Sequence, residues 1–146
     1  MRHKPRQFEH FIQCAVIAHC RSLERKYPEL KCLMAIPNGG QRHIAVARKL
    51  KAEGVKPGVS DLFLALPIPH GPAGLWIEMK APKGVVSQNQ KDFIDLMQWA
   101  GYRTVVCRSV DGAMTEIMNH LNRYRSGITD AAKDENDLAF LRRQAE

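Results

Sequence analysis

Leu75-Trp76-Ile77-Glu78-Met79-Lys80 decides how this chain is read. Strand side chains alternate between two faces, so Leu75, Ile77 and Met79 point one way while Trp76, Glu78 and Lys80 point the other. A carboxylate and an amine two residues apart then share one face of a strand apolar enough to be interior. Burying either alone is costly; together they need a partner or a metal. Upstream lies the apolar run Leu62-Phe63-Leu64-Ala65-Leu66, and the Pro- and Gly-rich stretch 67–74 between the two runs reads as a turn. A hairpin of these strands brings Asp61, at the mouth of the first, toward Glu78. Two carboxylates about 4 Å apart repel by roughly 4 kcal/mol at an effective dielectric of 20, and a divalent cation reverses the sign of that interaction. Hard oxygen ligands with few histidines nearby favour Mg²⁺ or Mn²⁺ over zinc, with the Met79 backbone carbonyl as a further candidate ligand. Such a site suits phosphodiester hydrolysis: the metal would polarise a phosphoryl oxygen and lower the pKa of a water, while Lys80 would orient or activate that water and offset negative charge. The plain alternative is a surface ion pair of Glu78 with Lys80 and a solvated Asp61.

Working outward, residues 5–26 read as a helix, with Phe8, Phe11, Ile12, Ala15, Val16 and Leu23 at three- and four-residue spacing and Pro5 fit for its first position. Residues 30–36 read as a strand ending at the breaker Pro37-Asn38-Gly39-Gly40. A helix over 41–53 follows, with Ile44, Ala47 and Leu50 inward and Gly54 as its stop. Downstream, 87–100 is a helix opened by Ser87-x-x-Gln90 and closed by Gly101. Residues 102–107 are a strand, and 112–124 a helix with Met114, Ile117, Met118 and Leu121 in the core. Helix, strand, helix, strand, strand, helix, strand, helix implies an α/β fold with a mixed central sheet of about four strands flanked by helices. We place one domain over 1–124 and a charged tail over 125–146, either a short helix or loose.

Two more residues weigh against a chance ion pair. Glu9 shares an inward-leaning helix face with Ile12, Gln13 and Val16, where a lone carboxylate needs a reason. Gln90 closes a capping box with Ser87, worth about 1 kcal/mol locally, and lies just after the Glu78–Lys80 strand and its loop.

Glu9, Asp61, Glu78-Met79-Lys80 and Gln90 together resemble the PD-(D/E)XK nuclease superfamily. The segments Asn38-Gly39-Gly40-Gln41-Arg42, Gly54-Val55-Lys56-Pro57-Gly58-Val59-Ser60-Asp61-Leu62 and Gly84-x-x-Ser87-x-x-Gln90 resemble its VRR-NUC branch, over residues 6–124. Ser60 stands where the superfamily's name has proline. The resemblance implies a restriction-endonuclease-like core and a metal held by Asp61, Glu78 and the Met79 carbonyl. It also implies a catalytic Lys80, a Glu9 that meets the metal directly or through water, and a Gln90 that positions Lys80 or the phosphate. Short members of that branch resemble homodimeric junction-resolving nucleases, and a two-fold dimer matches the two equivalent strands of a four-way junction.

Composition agrees with a nucleic-acid partner. The chain has 146 residues and a formal charge of +7; residues 125–146 hold four basic against five acidic residues, leaving +8 on the rest. An excess of that size attracts a polyanion. Asn38, Gly39, Gly40, Arg42 and Lys83 are candidate DNA contacts, with His43, Arg48, Lys49 and Lys51 nearby. Backbone contacts of this kind give affinity without sequence reading. With no zinc finger, recognition-helix pattern or RNA-binding aromatic motif in view, selectivity would come from DNA shape. Four cysteines without a CxxC pair are expected as reduced core thiols in a reducing, intracellular setting. No run of about 18 apolar residues is present, and the basic N-terminus leads into no signal core, so a cytoplasmic protein of a bacterial or phage-infected cell is expected. The expected function is thus a metal-dependent, structure-selective endonuclease for branched DNA. Its rivals are a flap or general nuclease of the same fold, a noncatalytic DNA-binding module, and a basic interaction protein with no nucleic-acid role.

Overall fold

Alternation in two neighbouring strands builds the core. The computed structural model describes residues 5–37 and 43–130. Its elements are α1 (Pro5–Leu23), a 3-10 turn (Pro28–Cys32), β1 (Leu33–Ala35), α2 (Ile44–Ala52), β2 (Leu62–Leu64), β3 (Leu75–Met79), α3 (Gln88–Trp99), β4 (Arg103–Cys107) and α4 (Val110–Asp130). The sheet runs β1-β2-β3-β4. The first two pairings are antiparallel, and β3 pairs with β4 in parallel, which requires the α3 crossover. This is the mixed four-stranded α/β sheet the element order predicts.

Leu62, Leu64, Leu75, Ile77 and Met79 are buried on one face against Ile12, Val16 and Cys20 of α1 and Ala113, Met114, Ile117 and Leu121 of α4. The opposite face carries aromatic rings: Phe63 stacks on Trp76 at 4.3 Å between centroids, and Phe93 of α3 meets Trp76 edge-on. Glu29 ties the 3-10 turn to α4, since Arg125 donates to both its carboxylate oxygens at 2.8 Å and lies over the Tyr27 ring. Arg125 therefore belongs to α4, and the break placed after residue 124 falls inside that helix, which continues to Asp130.

Several expectations need correction. Residues 30–32 are 3-10 rather than strand, because Pro28 presets the first turn and leaves only Leu33–Ala35 to pair with β2. The inward set on α2 is wrong: Ile44 is 70% exposed, Ala47 is exposed, and no residue of the helix is buried. Both faces of the sheet are already covered, by α1 and α4 on one side and α3 on the other, so this short basic helix has no core to reach. On α1 the buried stripe is narrower than the apolar spacing suggests. Phe8 and Phe11 are exposed, and the inward line runs through Ile12, Val16 and Cys20, with Glu9 half-buried at its head. All four cysteines are free thiols, but Cys14 is not a core residue: it lies exposed on α1, 3.6 Å from His10 Nε2. Among the described residues no helix is long and apolar enough to cross a membrane.

Candidate active site

The register of β2 and β3 assembles the site. Leu62 faces Ile77 across the ladder, so Asp61, one residue earlier, comes opposite Glu78, one residue later. The Met79 N–H donates to Asp61 Oδ2 at 2.7 Å, where the ladder would otherwise have continued. In an extended strand a residue's N–H and C=O lie along the same edge, which turns the Met79 carbonyl toward Asp61 as well. Glu78 is 1% exposed and Lys80 8%, so both polar members of the alternating strand are interior. Lys80 Nζ sits 3.2 Å from Glu78 Oε1 and 3.9 Å from Glu9 Oε1. Glu9 reaches past the end of β3 from α1 and accepts the Ala81 N–H at 3.2 Å. Glu9, Asp61, Glu78, Lys80 and Gln90 all line one open cleft of about 660 Å³.

Gln90 does two jobs with one amide. Its Oε1 accepts the Ser87 N–H at 2.9 Å, closing the capping box at the start of α3, and its Nε2 donates to Glu78 Oε1. It meets Glu78 rather than Lys80. A glutamate at this position could cap, but would have no N–H for Glu78.

Burial dominates the electrostatics. It pushes the Glu78 carboxyl up to about 7, helped by the neighbouring Asp61 charge and resisted by Lys80. Asp61 is raised too, by burial, against the Met79 N–H and Lys80. Glu78 Oε2 is buried and accepts no hydrogen bond, although its sister oxygen holds both Lys80 and Gln90. A buried, unpaired carboxylate oxygen beside a second carboxylate fits a small hard cation. Among the described residues no three side chains of the His, Cys, Asp and Glu types converge on one point. The donors on hand are thus Asp61, Glu78 and the Met79 carbonyl, with water to complete the shell. Mg²⁺, which keeps several of its waters, suits such a sparse set.

Two residues shape the site in ways that local sequence patterning does not reveal. Arg108 follows β4, and its Nη1 donates to the carbonyls of Ala81 at 2.8 Å, Gly84 at 2.7 Å and Pro82 at 3.4 Å, clamping the turn that leaves the Glu78–Lys80 strand. Nothing in the local pattern marks that arginine, because its partners lie more than twenty residues upstream. Gly58 has φ +82, and a Cβ there would stand 2.3 Å from the Asn89 carbonyl oxygen. Only glycine lets the loop before Asp61 press against the first turn of α3 and so bring Asp61 and Gln90 into one cleft.

Of the expected DNA contacts, Lys83 is exposed on the turn after β3 but does not line the cleft. Asn38, Gly39, Gly40 and Arg42 lie outside the described residues. His43 serves as the α2 N-cap, its ring accepting the Ala45 N–H at 3.4 Å. Arg6 and His10, one turn apart on α1, do line the cleft.

Comparison with known proteins bears on the family and the fold. A family model described as the VRR-NUC domain matches residues 6–111. A solved structure described as a VRR_NUC domain protein superposes with a TM-score of 0.65, covering 84% of this chain and 92% of that one at 24% sequence identity. At that identity the likeness speaks for the fold. No curated protein matches the chain.

Proposed function

The chain belongs to the VRR-NUC family, a nuclease-type domain family, and from that premise we propose that it is an Mg²⁺- or Mn²⁺-dependent endodeoxyribonuclease. Its substrate is branched DNA, four-way junctions above all, engaged by a homodimer. The observation that carries the reading is the convergence of Asp61, Glu78 and Lys80 in one open cleft, with an unpaired buried oxygen on Glu78.

When bound, the cation supplies Lewis-acid polarisation of the phosphoryl group and a more acidic water. Asp61 and Glu78 hold it, and Gln90 fixes the rotamer of Glu78 by occupying Oε1. Lys80 has three N–H donors; Glu78 lies within hydrogen-bond reach of one at 3.2 Å, Glu9 is an ion-pair neighbour at 3.9 Å, and a remaining donor can orient the attacking water or meet a non-bridging phosphate oxygen as charge builds there. Arg6 and His10 at the cleft wall are placed to contact the flanking phosphates without reading bases. Two-fold pairing of such domains offers two equivalent clefts to the two equivalent strands of a junction.

The test is cleavage of labelled four-way, flap and linear duplex DNA with Mg²⁺, Mn²⁺ or chelator, comparing wild type with Asp61→Ala and Lys80→Ala. Both variants are expected to bind DNA and lose most cutting. Cleavage that survives either substitution sinks the site. Cutting of flaps or linear duplex at junction-like rates replaces the junction reading with a flap or general nuclease. Binding without cutting under any metal makes the domain a noncatalytic DNA module.

A further inference from the structure

Val85 is 83% exposed, although it lines the same cavity as Glu78 and Lys80. Single exposed apolar residues are ordinary on a protein surface, and Trp99 and Ile44 are two others here. Val85 differs in where it stands and how it is held. Trp99 and Ile44 do not line the cleft.

The segment that presents it is fixed at both ends. On one side, Gly84 N–H closes a tight turn onto Ala81 O at 2.8 Å, and Arg108 grips the carbonyls of Ala81, Pro82 and Gly84. The turn is packed so closely that a Cβ on Gly84 would lie 3.2 Å from both Ala81 N and Glu9 Oε1. On the other side, the Ser87–Gln90 capping box anchors Ser87. A β-branched side chain is stiff at χ1. A loop braced this thoroughly, holding a stiff apolar group out over a polar cleft, gains nothing for the fold by exposing it.

We propose that Val85 is a specificity-determining residue, an apolar wedge that packs against the base or deoxyribose next to the phosphate held by the cleft and favours strands already unstacked at a branch point. The inference rests on the nuclease reading above. Apolar wedges of this kind work because a base step that is already open costs less to enter than a stacked one. The same contact on continuous duplex requires unstacking, so the preference is for a branch. Arg108 is then a positioning residue, acting through the turn.

The experiment uses full-length protein and 2-aminopurine placed at the branch of a four-way junction or inside a linear duplex. Binding is read with Lys80→Ala protein, with and without Val85→Ser; cutting is read with otherwise wild-type protein carrying Val85→Ser or Val85→Leu. We expect the junction probe to brighten severalfold on binding and Val85→Ser to abolish that rise while the protein still melts as the wild type does. The junction-to-duplex ratio of cleavage rates should fall by about tenfold in Val85→Ser, the scale of one buried valine contact, and return in Val85→Leu. Equal brightening with and without Val85, or an unchanged ratio, overturns the wedge while leaving the nuclease intact. A wild type that cuts no DNA with either metal overturns the nuclease reading and the wedge with it.

Discussion

The Gln90 side-chain amide joins Glu78 to the start of α3: its oxygen caps the helix and its nitrogen holds the carboxylate. Helix capping and placement of the site are therefore one interaction, and a substitution can separate them. Gln90→Glu keeps the acceptor for Ser87 and removes the donor to Glu78. We expect its helix to survive, with melting at pH 6 close to that of the wild type, while single-turnover cleavage falls by about 10- to 100-fold, the worth of a hydrogen bond to a charged group. Wild-type cleavage by this variant would show that Glu78 needs no such support.

Metal binding should depend on pH through Glu78. Its carboxyl is raised from 4.5 to about 7, so the group is protonated in the folded apoprotein well above the pH at which it ionises in the unfolded chain. The sign follows directly. This carboxyl contributes stability below about pH 4.5 and loses it as the pH climbs through about 7. A cation must displace the proton, so calorimetric Mg²⁺ affinity is expected to rise by about fivefold between roughly pH 6 and pH 7 and level off above, with close to one proton released per ion at the lower pH and about half of one at the upper. Affinity flat across that range would show that the ion displaces no proton from Glu78.

Arg108 is expected to matter for turnover more than for stability, since it clamps a surface turn rather than the core. Arg108→Ala should lower kcat by at least about tenfold with KM changed less, because the turn carries Lys80 and the Ala81 N–H that fixes Glu9. Arg108→Lys, which restores one donor to those carbonyls, should recover part of the loss. A purely structural clamp would instead lower the melting temperature of both variants and leave kcat alone.

Gly58→Ala tests the close approach of the Asp61 loop to α3. A methyl group there meets the Asn89 carbonyl at 2.3 Å from a left-handed backbone. We expect a loss of about 2–4 kcal/mol in urea unfolding, combining backbone strain with the shift of one segment away from the other. Gly101 also has a positive φ, but a Cβ there meets nothing within 4 Å. Gly101→Ala should therefore cost only the strain, about 1 kcal/mol. Equal losses at the two sites would mean that the contact with α3 is slack.

The sequence alone determined which residues could carry chemistry and which strand would hold them. Alternation over Leu75–Lys80 assigned Glu78 and Lys80 to the face opposite the core, and the hairpin with Leu62–Leu66 placed Asp61 beside them. Both inferences follow from the two-residue period of an extended chain, which any single sequence displays. The same local rules gave the capping box at Ser87 and Gln90, and the inward position of Glu9.

What only the tertiary structure decided was set by contacts between distant segments. Whether α2 would find a core depended on the sheet faces already being covered, and so Ile44 stands exposed. Whether Gln90 would meet Glu78 or Lys80 depended on how far α3 is drawn toward the sheet, which Gly58 permits. That Arg108 would clamp the turn at Ala81–Gly84, and hold Val85 over the cleft, depended on the parallel pairing of β3 with β4. Sequence periodicity reports the environment along one element; it has no access to which element arrives opposite, and there the remaining specificity of this site resides.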